Sequence, residues 1–376
     1  MDKITQVNRL RNELRAAADA YYNTATPLMT DEQYDYKLER LHILEKELKI
    51  ELMSDAVGAP VLDGLDAVSI SPPMLSLEKC HSAKEIFTFS NTMDLMASVK
   101  CDGVSTRLIY ENGKFVSANT RGDGTTGTDI TKHCYFYTNI PKEISYKGRI
   151  YIDGETIIKD NDFEEIKEEQ GLKNSRNAVA GTLNSLDVKT VARRRLSFIA
   201  WDIPYIDDPI DTFFNVLEKL NDLEFEVVPH IFLYIATEEE IDNINNKILE
   251  IAEKNYIPVD GVVWRINDLA IGRDRGRTAH HAKSSIAFKP EYEEYCTHLR
   301  SIDYDVSRQG ILTPVAVFDP VIIDGTEVSR ASLSNISILK STLGEKPFVG
   351  QEIYVIKSNK IIPMIVRAKD EYEEWI

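Results

Sequence analysis

Paired cysteines are missing from this sequence. Its four, Cys80, Cys101, Cys134 and Cys296, lie far apart and never form a CxxC pair. Neither a zinc site nor a disulfide framework is therefore indicated. Long apolar runs are missing too: no stretch approaches the about eighteen residues of a membrane span. Met1-Asp2-Lys3-Ile4 has no signal-peptide architecture. These absences predict free thiols in the cytoplasm and no membrane partner. Positive charge is scarce, since 61 acidic against 44 basic side chains leave a net charge of −17. That argues against a general polyanion binder, because phosphate contacts need cations. Internal repeats and low-complexity segments are absent as well. What remains, 43% hydrophobic and 28% charged over 376 residues, is the composition of a globular protein with room for two or three domains.

The charge is uneven. Residues 205–255 carry thirteen acidic against three basic side chains, whereas residues 265–289 carry six basic against two acidic. A local cationic face of this kind can meet DNA on an acidic protein, although a solvated charged loop would read the same way.

The first fifty residues read as two helices. Ile4, Val7, Leu10, Leu14 and Ala18 keep a helical period that ends near Tyr21-Tyr22. Thr30-Asp31-Glu32-Gln33 is a capping box, and Tyr34, Leu38, Leu41, Leu44 and Leu48 mark the next apolar face. Residues 58–73, with their prolines and glycines, read as a linker. Short strands follow. Residues 106–110 and 114–119 flank Asn112-Gly113, a type I′ hairpin signal. Further strands are predicted at 149–158, 196–203, 225–228 and 259–266. A helix is predicted from Thr237, where Thr237-x-x-Glu240 caps a run of isoleucines. Helices and strands without a βαβ beat predict an α+β fold. Beyond Tyr295, strands at 302–306, 314–320, 327–329, 351–356 and 361–367 fit a small barrel such as an OB-fold.

The chemistry starts at Lys100-Cys101-Asp102-Gly103. KxDG alone is weak, expected by chance in roughly one chain in ten of this length. Its company along the chain is more specific. Thr120-Arg121-Gly122-Asp123-Gly124-Thr125-Thr126-Gly127 predicts a loop whose backbone N–H groups can approach an anion. Asp153-Gly154-Glu155-Thr156 and Val259-Asp260-Gly261-Val262-Val263-Trp264-Arg265 each embed carboxylates in a strand, where a charge needs a partner or a task. Asn174-Ser175-Arg176-Asn177 opens a helix, and Ile286-Ala287-Phe288-Lys289 ends an apolar strand on a lysine.

In type and order this series closely resembles the nucleotidyltransferase motifs of NAD-dependent DNA ligases. Met74-Leu75-Ser76-Leu77 resembles the stretch entering their adenylation domain. Residues 308–316 and 328–335 resemble their OB domain. Tyr21-Tyr22 and Asp31-Glu32-Gln33-Tyr34-Asp35 resemble the segment that holds the nicotinamide mononucleotide half of NAD. The resemblance implies three domains: a helical NAD-binding subdomain and linker over 1–70, an adenylation domain of antiparallel sheets with helices over 71–297, and an OB barrel over 298–376. It implies that Lys100 is adenylylated by NAD, and that the adenylyl group then passes to the 5′-phosphate of nicked double-stranded DNA and the nick is sealed. It implies catalytic roles for Lys100, Asp102, Glu155, Asp260 and Lys289, and cofactor contacts from Tyr21, Tyr22, Asp31, Tyr34, Asp35, Ser76, Leu77, Ser98, Arg121, Glu155, Arg176, Arg265 and Lys289. Glu155 and Asp260 suit Mg²⁺ (or Mn²⁺), which prefers hard oxygen ligands. A free lysine is neutral about once in a few thousand at pH 7, so Lys100 needs help, and Lys289 is the candidate neighbouring cation.

Four positions depart from the usual family pattern. Ser98 stands for a glutamate at the adenine edge, Tyr22 for a histidine, Asn184 for an arginine of the joining steps, and Arg265 for a lysine. Family members usually continue into a four-cysteine zinc finger, helix-hairpin-helix repeats and a BRCT domain, whereas this sequence stops at Glu374-Trp375-Ile376. A compact ligase, one subunit of a split enzyme and a truncated form all fit. The competing expectation is an NAD- and DNA-binding module whose nick sealing needs a second protein chain that supplies the clamp. An RNA-end ligase is disfavoured by the N-terminal Tyr/Asp segment.

Overall fold

Thr30 opens a helix with both halves of a capping box in place: its hydroxyl accepts from the Gln33 N–H, and the Gln33 side chain accepts from the Thr30 N–H. In the computed structural model this helix, α2 (Asp31–Leu48), follows α1 (Lys3–Asn23). The structure describes residues 3–23, 28–50, 66–172, 174–185, 189–278, 281–289, 294–306, 312–323, 326–358 and 362–369. Two compact units are present, one joining the N-terminal helices to residues 294–369 and the other covering residues 66–289.

In the first unit, Val7, Leu10 and Leu14 of α1 and Leu38, Leu41 and Leu44 of α2 are buried, while Ile4, expected on the same face, is exposed. Ion pairs Lys3–Glu47 (2.9 Å), Arg11–Glu45 (2.7 Å) and Glu13–Lys37 (2.9 Å) descend in one helix as they rise in the other, so the pair is antiparallel.

The second unit runs β1 (Ala67–Ser69), β2 (Ser76–Cys80), α3 (Ala83–Ser90), β3 (Leu95–Cys101), β4 (Val104–Glu111), β5 (Lys114–Thr120), β6 (Thr126–Thr128), α4 (Thr131–Cys134), β7 (Arg149–Ile157), α5 (Asp160–Gln170), α6 (Ser175–Leu183), α7 (Lys189–Arg194), β8 (Ser197–Ile206), α8 (Phe213–Asp222), β9 (His230–Leu233), α9 (Glu238–Lys254), β10 (Val259–Ile266), α10 (Leu269–Asp274) and β11 (His281–Phe288). Its main sheets are ordered β2-β11-β10-β3-β9 and β5-β4-β7-β8. Both are antiparallel except for β11 with β2, which is parallel. Asn112 and Gly113 both take positive φ, 52° and 79°, so the predicted hairpin turn is present between β4 and β5.

Three readings need correction. Part of the expected linker is a strand, since β1 pairs with β6 beside the glycine loop; residues 58–65 lie outside the described residues. Residues 225–228 form no strand. Val227 makes a single bridge to Ala200, and the strand proper is β9, because Glu224 turns through a positive φ of 66° and Pro229 precedes the pairing. The loop 120–127 does not offer a row of free donors. Asp123 accepts from the N–H groups of Thr125 (2.8 Å) and Thr126 (2.7 Å), and Gly124 N–H donates to the Arg121 carbonyl (2.9 Å). Those donors are spent inside the turn.

Returning to the first unit, β12 (Tyr295–Val306), β13 (Leu312–Ile323), β14 (Thr326–Ser332), α11 (Ile336–Leu343), β15 (Glu352–Ser358) and β16 (Ile362–Ala368) make a sheet of order β14-β13-β12-β15-β16. Strand β12 pairs with β15 through residues 295–298 and with β13 through residues 299–306. One long strand shared in this way curls the sheet around Leu299, Phe318, Ile353 and Val355. The motif residues 307–311 lie outside the described residues.

Helix α2 docks on this sheet through Gln33, which is buried. Its Nε2 donates to the Thr342 hydroxyl of α11 and to the Ile365 carbonyl of β16. Arg367 on β16 pairs with Glu294 at 2.6 Å, lies over Tyr354 with 4.0 Å to the ring centroid, and reaches the Tyr36 ring at 5.5 Å. Gln33→Leu should destabilise the first unit by about 1–3 kcal/mol, because buried acceptors lose their donor while the residue's volume is kept. Urea denaturation of the full chain reads it, and a loss under about 0.5 kcal/mol would contradict the docking role.

Candidate active site

Alternation along β10 settles which way its side chains point. Trp264 is fully buried and its indole N–H donates to Asn245 of α9 at 2.8 Å, so that face lies under the helix. Gly261, Val263 and Arg265 face the other way, and their register partners on β3, Lys100, Ser98 and Met96, share that face. Between Val259 and Gly261 the register slips by one residue, leaving Asp260 on a bulge. Gly261 makes the bulge possible: it sits at φ 141°, and a Cβ there would come within 2.2 Å of the Phe288 carbonyl oxygen.

The bulge places Asp260 between two lysines. Lys100 Nζ donates to one carboxylate oxygen, and Lys289 Nζ lies 2.8 Å from the other. Burial pushes the Asp260 carboxyl up, but the charges and hydrogen bonds of Lys100 and Lys289 outweigh it and hold the group far below the usual carboxylate range. Lys289 is fixed in turn by its backbone N–H, which donates to the Cys80 carbonyl at 2.9 Å.

The second sheet supplies Glu155. It pairs in register with Ser105 of β4, whose hydroxyl donates to its Oε2 at 3.0 Å. Burial pushes the Glu155 carboxyl up to about 7, against the opposing influence of Arg176, the Ser105 hydrogen bond, Lys100 and Arg121. Arg176, on the first turn of α6, pairs with Asp102 at 3.0 Å. Gly103, next to Asp102, admits no side chain because a Cβ would meet the Thr156 carbonyl oxygen at 2.2 Å. Asp160, which the sequence reading missed, is pushed up to about 6 by burial and then by Asp102 and Glu164.

The structure thus brings Lys100, Asp102, Arg121, Glu155, Arg176, Asp260 and Lys289 into one electrostatic neighbourhood. Ser98 is buried on the strand of Lys100, opposite Val263 on one side and His230 on the other. Ser76 and Leu77 are half-buried at the start of edge strand β2. Arg265 is not with the lysines: its guanidinium pairs with Asp202 at 2.6 Å. Tyr34 is half-buried on α2, in the other unit; the side chains of Tyr21, Tyr22, Asp31 and Asp35 fall outside what the structure describes. Asn184 is the C-cap of α6. Sequence reasoning missed Arg107 and gave Asp153 no partner, although the two form a buried two-point pair at 2.6 and 2.9 Å; an arginine inside the apolar strand β4 was the available signal.

Glu155 and Asp260 offer the hard carboxylate oxygens that Mg²⁺ or Mn²⁺ prefers, although both Asp260 oxygens face a lysine. Such ions use one or two carboxylates and complete their shell with water and substrate phosphates. Among the described residues no group of three or more His, Cys, Asp or Glu could hold a metal unaided.

The family model described as "NAD-dependent DNA ligase adenylation domain" matches residues 63–293. This chain belongs to the NAD-dependent DNA ligases. Two further models of the ligase set match its ends: the N-terminal NAD+-binding domain over 1–55 and the OB-fold domain over 296–374. The chain is 36% identical to the DNA ligase of Thermotoga petrophila over 389 residues, covering 98% of this chain and 56% of that one. It is 36% identical to that of Fervidobacterium nodosum (99% and 58%) and 34% identical to that of Campylobacter concisus (94% and 56%). This ligase chain therefore spans little more than half the length of these curated relatives. Among its described residues no helix is long and apolar enough to cross a membrane.

Glu155 links the ligase site to pH. Its folded value near 7 stands above the ordinary 4.5, so the folded chain holds a proton the unfolded chain releases. The resulting stability is complete below the ordinary value and is lost as pH climbs through the folded one. Denaturation midpoints should therefore fall more between about pH 5 and about pH 8 in the wild type than in Glu155→Gln. Equal pH slopes for the two proteins would refute this.

Proposed function

We propose that this chain seals 3′-hydroxyl/5′-phosphate nicks in duplex DNA, using NAD and a lysyl-AMP intermediate on Lys100. The observation that carries the proposal is the Asp260 carboxylate shared by Lys100 and Lys289, opposite a Glu155 that feels the Lys100 charge. In the first step Nζ of Lys100 attacks the α-phosphorus of NAD. A P–N bond forms, the bond to nicotinamide mononucleotide breaks, and that group leaves. The proton lost from Nζ has Asp260 as its nearest acceptor. The adenylyl group then passes to the 5′-phosphate, and the 3′-hydroxyl displaces AMP.

Each step transfers a phosphoryl group, for which positioning and charge neutralisation supply most of the catalysis. Lys289 and Arg176 are cations suited to phosphate, while Asp102, Arg121 and Glu155 are suited to the ribose. Ser76, Leu77 and Ser98 are assigned to the adenosine side. Tyr21, Tyr22, Asp31, Tyr34 and Asp35 are assigned to the nicotinamide half. A divalent metal held by Glu155 and Asp260 would neutralise phosphate charge. The partition into 1–70, 71–297 and 298–376, and cytoplasmic action, belong to the same reading.

Intact-mass spectrometry should detect an adenylyl adduct after incubation with NAD and Mg²⁺ but not with ATP, and Lys100→Ala should abolish it. An undiminished adduct in that variant would sink the assignment. The alternative, a module that is adenylylated but seals only with a second chain, is refuted if the purified chain alone seals nicked DNA efficiently.

A further inference from the structure

Arg265 leaves the strand of Asp260 and crosses to the other sheet. Its Nη1 donates to Asp202 Oδ2 on β8 at 2.6 Å, and its guanidinium lies 4.1 Å from the ring centroid of Phe213 and 5.9 Å from that of Trp201. Asp202 is the register partner of Asp153 on β7. Asp153 is in turn gripped by Arg107 through two hydrogen bonds, and the remaining arm of Arg107 donates to the Pro72 carbonyl at 2.6 Å. Glu155 stands two residues along β7 from Asp153, on the same face.

We infer that Arg265 is a positioning residue: the chain Arg265–Asp202–Asp153–Arg107 clasps the two sheets and sets Glu155 against the Lys100–Asp260–Lys289 cluster. Pairing of each carboxylate with its own cation is what makes the clasp rigid. Two carboxylates on neighbouring strands repel unless each has its own cation, and here each has one. Asp153 is buried and Asp202 keeps a side-chain exposure of 22%, so stripping either of its cation is costly, most of all Asp153, and the strands are held where both pairs survive together. Arginine suits the position better than lysine. Its planar head lies over Phe213 while one Nη donates to Asp202, and a lysine ammonium does not reproduce both contacts. The consequence is reach over distance: β10 carries Arg265 at one end and Asp260 at the other, so a clasp at Arg265 fixes the far end of the strand.

This inference rests on Lys100 being the adenylylated nucleophile, and its test keeps the two apart, since the wild-type adduct alone decides that reading. Single-turnover adenylylation of Lys100 is followed over a range of NAD concentrations in the full chain. Arg265→Met should lower the maximal rate by up to about 100-fold, because displaced reacting groups lose that much. The half-saturating NAD concentration should stay within about twofold. Adding Asp202→Asn to that variant should recover at least about tenfold of the rate, since it removes the carboxylate left without a cation. Where Arg265→Met does not fold, Asp202→Asn alone is measured for the same loss of maximal rate at unchanged half-saturation. The Nε–H of Arg265 is buried and has no acceptor among the described residues. If bound NAD uses that donor directly, half-saturation rises at least about tenfold with the maximal rate preserved, and Asp202→Asn brings no recovery. That result overturns the positioning role.

Discussion

One carboxylate organises the site. Asp260 accepts from Lys100 and Lys289 at the same time and holds the two ammonium groups in one place. Two ammonium groups brought together without it would repel, so the geometry of the nucleophile depends on an acid on the neighbouring strand, 160 residues away in sequence. That acid depends in turn on a bulge, and the bulge on Gly261, whose φ of 141° and proximity to the Phe288 carbonyl exclude any side chain. A backbone detail thus sets a charge, and the charge sets the nucleophile.

The opposite wall works by burial. Glu155 has cationic neighbours and a hydroxyl donor, yet its carboxyl is pushed up because desolvation outweighs them. Asp260 has the reverse balance, with the two lysines outweighing burial. Carboxylates of one neighbourhood are therefore driven apart in acidity by their surroundings, a pattern suited to division of labour in phosphoryl transfer. The Arg107–Asp153 and Asp202–Arg265 pairs lie between these walls and connect their strands.

The N-terminal helices carry a separate economy. Gln33 completes the capping box of α2 with its carbonyl oxygen and docks the helix on the curled sheet with its amide nitrogen. One side chain therefore starts the helix and anchors it. The segment resembling the nicotinamide-binding stretch lies on that same first turn, so its backbone geometry is tied to the barrel.

Local signals were the legible ones. The capping boxes at Thr30 and Thr237, the Asn112-Gly113 turn and the period of strands such as Val259–Ile266 depend on neighbours in sequence, so the sequence alone determined them. The order of KxDG, the strand-borne carboxylates and Lys289 likewise identified the family. Contacts across the chain were not legible. Nothing near Arg265 in sequence names Asp202 as its partner, and nothing in the glycine loop says that Asp123 would consume its donors. The strand expected at 225–228 failed for a related reason: Phe225 and Val228 pack into the core, Val227 makes only a single bridge to Ala200, and the edge of β3 is taken by residues 230–233. Sequence determined which residues are chemically able and which elements carry them. Only the tertiary structure decided which charges meet, because pairing energies depend on distance and burial across strands, and no spacing along the chain encodes either.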